Sequence, residues 1–146
     1  MSVLALVIAL IIGSLITGVG GVRVETPEAA EGLLQIDLFQ MVLVVFVTVF
    51  IEELLFRTLP IFVARWINPS IRWIFAIAVI ATIVFGYIHG GVANIFIQGV
   101  AGLFFAIIYI KGGGYHGRHL RAWCAAGLGH YLYNMLILFP AALLAA

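Results

Sequence analysis

The sequence predicts an all-α membrane protein, a bundle of about five transmembrane helices, and three observations carry that prediction. Hydrophobic residues make up 65% of the 146-residue chain and charged residues 9%, which lies outside the range of soluble globular domains. Uncharged runs recur at or above the ~20 residues that a helix needs to cross a hydrocarbon core ~30 Å thick. Most of the charge falls in the short stretches between those runs, in company with Gly and Pro.

Residues 1–22 carry no charge and read as the first spanning helix. They lack the basic start and the small-residue cleavage site of a signal peptide, so the segment is expected to be retained. Residues 23–37 hold four of the six acids (Glu25, Glu28, Glu31, Asp37) with Pro27 and Gly32, and read as an aqueous loop. Asp37 is placed to cap the second helix, which runs from about Leu38 to Arg65 or Trp66, with a bend expected at Pro60. Asn68-Pro69-Ser70 makes a turn, and Ser70 can cap the helix that follows. Residues 73–110 form 38 positions without Lys, Arg, Asp or Glu. As one helix they would measure about 57 Å, more than any bilayer, so the chain must turn inside them. Gly90-Gly91 beside His89 is the natural break, giving a third helix up to about His89 and a fourth from about Val92. Lys111 and the three glycines after it end the fourth, residues 115–121 form a polar loop, and residues 122–146 are a last charge-free segment long enough to span.

Basic residues sort by side. Arg57, Arg65 and Arg72 flank one turn and Lys111, Arg118 and Arg121 another on the same side, against Arg23 alone on the other. The excess marks the cytosol, which places the N-terminus inside, the acidic loop outside and the C-terminus outside. The net charge of +1 says nothing about nucleic acid, but the sequence has no basic cluster of the kind such binding requires, so no nucleic-acid partner is expected. The one cysteine, Cys124, provides neither a disulfide nor a thiol metal site and is expected as a small apolar core residue.

Against this apolar background a few polar groups stand out. Glu52 and Glu53 are adjacent inside the second helix, where each ionised side chain costs about 2.5–3.5 kcal/mol, so function is the default explanation. Arg57 follows Glu53 by four residues in the favourable order for an ion pair, and is expected to neutralise it. Glu52 points about 100° away round the helix and needs another partner. His89 ends the third helix, and His130 and Asn134 share a face of the fifth. A carboxylate, two imidazoles and an amide are the groups needed to deprotonate a water and hold an oxyanion away from bulk solvent. On straight, upright helices their depths differ, at about 20 Å for Glu52, 25 Å for His89 and 13 Å for His130 from the cytosolic ends.

Three ordered motifs, Glu52-Glu53-x-x-x-Arg57, Phe85-x-x-x-His89 and His130-x-x-x-Asn134, resemble those of the CPBP family. These are the CAAX prenyl endopeptidases of the Rce1 type and their bacterial relatives, also called the ABI or glutamic intramembrane protease family. The resemblance implies that residues 37–146 are a catalytic helical core, with residues 1–36 a transmembrane helix and acidic extracytosolic loop in front of it. It implies an intramembrane endopeptidase acting on a membrane-associated protein or peptide: Glu52 would be the base, His89 and His130 the water and oxyanion partners, Asn134 a polar support, and Glu53, Arg57 and Phe85 supporting residues. The chain lacks the extra helices of the eukaryotic enzymes, which fits a compact prokaryotic member in the plasma membrane better than a prenyl-dependent one. No cofactor is expected. The alternative within the class is a zinc protease with Glu52, His89 and His130 as ligands, three protein ligands plus water being a catalytic zinc set. The alternative outside it is a non-enzymatic membrane protein, a bacteriocin-immunity factor or a transport-like protein, which these residues would serve as a binding or polar lining.

Other polar and small residues have plainer expectations. His116 and His119 are expected to be solvated in the basic loop. Gly127, Gly129, Ala125 and Ala126 should let the last helix approach a neighbour closely. Asn94 and Gln98 either bond across helices or line a cavity, and Trp66, Trp73, Trp123 and Tyr109 are expected as interfacial anchors.

Overall fold

The computed structural model describes residues 38–145; the first apolar segment, the acidic loop and the Asp37 cap lie outside the described residues. Five α-helices make up nearly all of this region, and no strand occurs among the described residues. They are α1 (Leu38–Glu53), α2 (Leu59–Ile67), α3 (Ile71–Ile88), α4 (Val92–Lys111) and α5 (His119–Ala145). α1 and α2 are one rod, Leu38–Ile67, joined by a π-helical turn at Leu54–Thr58. The rod, α3 and α4 are each long and apolar enough to cross a membrane. α5 is long enough at 27 residues, but His130, Tyr131, Tyr133 and Asn134 interrupt its apolar surface.

A π-helical turn stands where a bend is expected at Pro60. A proline inside a helix lacks an N–H and pushes its ring against the carbonyl four residues back, here Phe56. Widening the preceding turn relieves that clash, and the Leu59 N–H bonds Leu54 O, five residues back. The wide turn begins immediately after Glu53, so the two glutamates sit where the ladder changes period.

Between α2 and α3 the Asn68 side chain, not Ser70, makes the turn's bond. The Ser70 N–H donates to Asn68 Oδ1 at 2.9 Å, while Ser70 occupies the cap position of α3 without a capping bond from its hydroxyl. The break between α3 and α4 falls at Gly90-Gly91, whose φ values of 140° and 80° are backbone conformations that side chains disfavour. The second loop is shorter than expected: a 3-10 turn at Gly114–His116 leads straight into α5 at His119.

α3 packs most extensively on α4, α4 on α5, α5 on α1, and α2 on α3. In lipid these contacts gain little from apolar burial and depend on close approach, which small residues allow. At Gly86 a Cβ would come within 2.7 Å of Ile95 Cα and 2.8 Å of Asn94 O, so only glycine lets α3 and α4 meet there. A Cβ on Gly127 would strike the Phe50 ring at 2.8 Å, which bears out the close packing expected of α5. One core joins Ile61, Ile74, Ala78, Ala106, Tyr109 and Ala126, and a second joins Met41, Val45 and Val49 to α5. Large apolar side chains such as Phe39, Phe96, Phe104 and Leu136 face outward, as a lipid-facing surface requires.

Candidate functional site

The rod, α3 and α5 bring their polar residues to one place. Glu52 Oε1 lies 3.4 Å from His89 Nε2, and Glu52 Oε2 lies 3.9 Å from His130 Nε2. Each imidazole therefore faces a different oxygen of one carboxylate. The depth mismatch expected of upright helices is absent: the side chains meet across the bundle despite the unequal sequence distances from the helix ends. The Glu52 and His89 side chains each remain 18% exposed, whereas Glu53 and Arg57 are fully buried and His130 nearly so.

Glu53 and Arg57 form the expected pair, with Arg57 Nη1 at 3.5 Å from Glu53 Oε1. The structure adds a second partner that sequence spacing did not reveal. His130 Nδ1 lies 2.9 Å from the same Glu53 oxygen, so His130 stands between the two glutamates. Arg57 makes no hydrogen bond through Nε, Nη1 or Nη2. It is held instead by the ion pair, by the Phe85 ring 4.2 Å below its guanidinium carbon, and by Gly102, where a Cβ would meet Nη2 at 2.5 Å.

Hydrogen bonding assigns the imidazole tautomers. His89 Nδ1 is 2.7 Å from Phe85 O, a carbonyl that only accepts, so Nδ1 carries the proton. The same reasoning puts a proton on His130 Nδ1, which faces the Glu53 oxygen that is paired with Arg57. In their neutral forms both rings then turn an Nε2 lone pair toward Glu52. Three acceptors facing one another require a shared proton or a water, whose two O–H groups can serve two of them.

Aromatic rings fix both imidazoles. Phe105 stacks on His130 at 4.5 Å between centroids, and Phe85 lies 4.2 Å from His89. Phe85 thus touches His89 and Arg57 at once. Asn94 donates to His89 O and ties the start of α4 to the end of α3, rather than bridging to a distant helix. Asn134 sits half-buried one turn beyond His130, and the bonds that hold the cluster do not run through it. Among the described residues no group of three or more His, Cys, Asp or Glu is disposed to hold a metal ion.

Several plainer expectations are corrected by packing. Tyr109 is fully buried and bonds His119 Nδ1 at 2.8 Å, so neither is an interfacial anchor or a solvated loop residue. His119 lies at the loop end of α5, where burial first and then the Arg65 charge lower its pKa from the ordinary histidine value. Trp123 is half-buried with Nε1 donating to Phe50 O at 2.9 Å, whereas Trp66 is 84% exposed as an anchor should be. Cys124 is half-buried.

A membrane-embedded glutamate flanked by two histidines from separate helices, with a buried ion pair behind it, defines a class of helical membrane proteins built around one internal polar cluster. The family model for Type II CAAX prenyl endopeptidase Rce1-like proteins matches residues 34–136, and the chain belongs to this family. The matched region contains all three motifs and every residue of the cluster. No individual curated protein and no solved structure matches the chain.

Proposed function

We propose that this protein is an intramembrane endopeptidase of the CAAX type that hydrolyses a peptide bond in a membrane-associated protein or peptide, with Glu52 as the general base. The family's activity supports the reaction class. The observation that carries the residue assignment is the placement of the Glu52 carboxylate between two Nε2 atoms, at 3.4 and 3.9 Å.

In this reading a water held by Glu52 loses a proton to the carboxylate as it attacks the scissile carbonyl. An imidazole that has taken a proton at Nε2 from solvent before the attack can donate a hydrogen bond to the oxyanion and keeps that proton throughout the cycle, while its Nδ1–H stays on Phe85 O or on Glu53. Glu53 and Arg57 keep His130 oriented without touching the reacting atoms. Low polarity around the cluster strengthens each of these interactions relative to water. The proton taken up by Glu52 passes to the leaving amine, so the site returns to its starting state with one water consumed per bond broken. Asn134, one turn from His130, serves in this reading as a polar support of the site. The reaction needs no metal in this scheme.

The deciding experiment is hydrolysis of membrane-anchored peptides by purified protein in lipid nanodiscs, with products read by mass spectrometry. Glu52→Gln keeps the size and removes the base, and activity should fall by about 10²–10⁴-fold. Wild-type turnover by the Glu52→Gln variant would refute the assignment. A wild-type protein inert toward all such peptides, yet binding a partner as tightly as its Glu52→Gln variant does, would favour the non-enzymatic alternative. Strong chelators should leave the wild-type rate unchanged; loss restored by added zinc would revive the metal version.

A further inference from the structure

Polar atoms continue behind Glu52 into the bundle with fewer partners than their burial demands. Arg57 Nε, Nη1 and Nη2, Glu53 Oε2 and Thr58 Oγ1 are all buried and make no hydrogen bond. Each such atom costs about 1–3 kcal/mol if left dry, and charged ones more. Five in one region, donors and acceptors together, are what an internal water needs, since buried waters hold about three partners each. The α4 face above them runs Gly102, Phe105, Ala106, Tyr109. Gly102 abuts Arg57, and the Tyr109 hydroxyl lies beside Thr58 without an aligned bond to it. Tyr109 in turn bonds His119 at 2.8 Å, and His119 is only half-buried, at the loop end of α5. A line of polar groups thus leads from the loop to the site: His119, Tyr109, Thr58, Arg57, Glu53, His130.

We infer that ordered water occupies the space around Arg57, Glu53 and Thr58 and connects the Tyr109–His119 pair with Glu52, so that the site can be resupplied with water from the loop end of the bundle. Seven residues separate Gly102 from Tyr109, about 10 Å of helix rise. That is the span of roughly three hydrogen-bonded waters at ~2.8 Å spacing. The hydration follows from the unpaired atoms alone; its role as a supply rests on the hydrolytic reading proposed above. A supply from behind matters because the Glu52 and His89 side chains are each only 18% exposed, and a bound peptide would cover that surface.

Hydroxyl-radical footprinting by X-ray radiolysis reports side chains next to ordered internal water, and it can be run on the full chain in nanodiscs without a substrate. Phe85, against the Arg57 guanidinium, and Tyr109 should be oxidised at rates near that of Tyr115 in the loop once intrinsic reactivity is normalised, while the equally buried Ile61 and Ile74 stay protected. Thr58→Val should lower oxidation at Tyr109, and both Thr58→Val and Tyr109→Phe should reduce kcat about 10-fold with KM unchanged. Phe85 and Tyr109 as protected as Ile61 would overturn the hydration. Strong oxidation at both with kcat unchanged in both variants would overturn the supply role. Glu52→Gln should keep the wild-type footprint, so an active Glu52→Gln protein would remove the catalytic assignment and leave the water in place.

Discussion

Replacing Arg57 by Met tests how the buried pair is held. The change keeps an unbranched side chain over the Phe85 ring and removes the charge, leaving the Glu53 carboxylate fully buried with only His130 as a partner. Breaking a buried pair from one side costs about 3–5 kcal/mol, because the surviving charge has no counter-ion. Loss of the cation–π contact at 4.2 Å adds to this, about 2 kcal/mol for a desolvated guanidinium. Glu53→Gln should cost about the same 3–5 kcal/mol by stranding the guanidinium, although the new amide oxygen can still accept from His130 Nδ1. The double variant Glu53→Gln/Arg57→Met removes both charges and should recover most of the loss, since an apolar or neutral replacement of a buried pair is often near neutral. A coupling energy of at least about 3 kcal/mol is expected, measured by equilibrium unfolding of all four proteins in bicelles. Additivity to within about 0.5 kcal/mol would refute the claim that each charge needs the other.

Gly102→Ala should destabilise by about 1–3 kcal/mol, because its Cβ would meet Arg57 Nη2 at 2.5 Å and Phe85 at 3.1 Å, and Gly102→Ala on the Arg57→Met background should be milder. His119 has a folded pKa below its unfolded value, so its contribution to stability is complete above the ordinary histidine pKa near 6.5 and is lost as pH falls below it. The wild-type Tm in detergent should therefore drop more than that of His119→Gln between pH 7 and pH 5, and parallel profiles would count against it. Orientation can be read by cysteine labelling on a Cys124→Ala background: positions 118 and 28 should react from opposite sides of the membrane, and reaction from one side would contradict the basic-residue asymmetry.

Helix positions were legible in the sequence because lipid imposes a simple rule: charge-free runs of the right length span, and glycine pairs or charged stretches mark the turns. That rule located the ends of α3 and α4 to within about a residue of Ile88 and Val92. The Glu53–Arg57 pair was legible for a similarly local reason, as partners one turn apart on one helix are close whatever the rest of the fold does. The three motifs also marked Glu52, His89 and His130 as the groups to watch.

Tertiary structure decided what those groups touch. Contacts between helices depend on rotation, tilt and the depth at which each rod sits, and no local pattern sets them. The π turn before Pro60 and the bare backbone of Gly86 and Gly102 bring the rod, α3 and α4 close enough for Phe85 to cover Arg57. Helix-to-helix packing likewise took Tyr109 and His119 out of the roles their positions suggested and joined them inside the bundle. The bond from His130 Nδ1 to Glu53 links residues 77 positions apart, and it is this bond that turns Nε2 toward Glu52. Residue types supplied the chemistry; close helix approach in a medium without competing water decided which of them face one another.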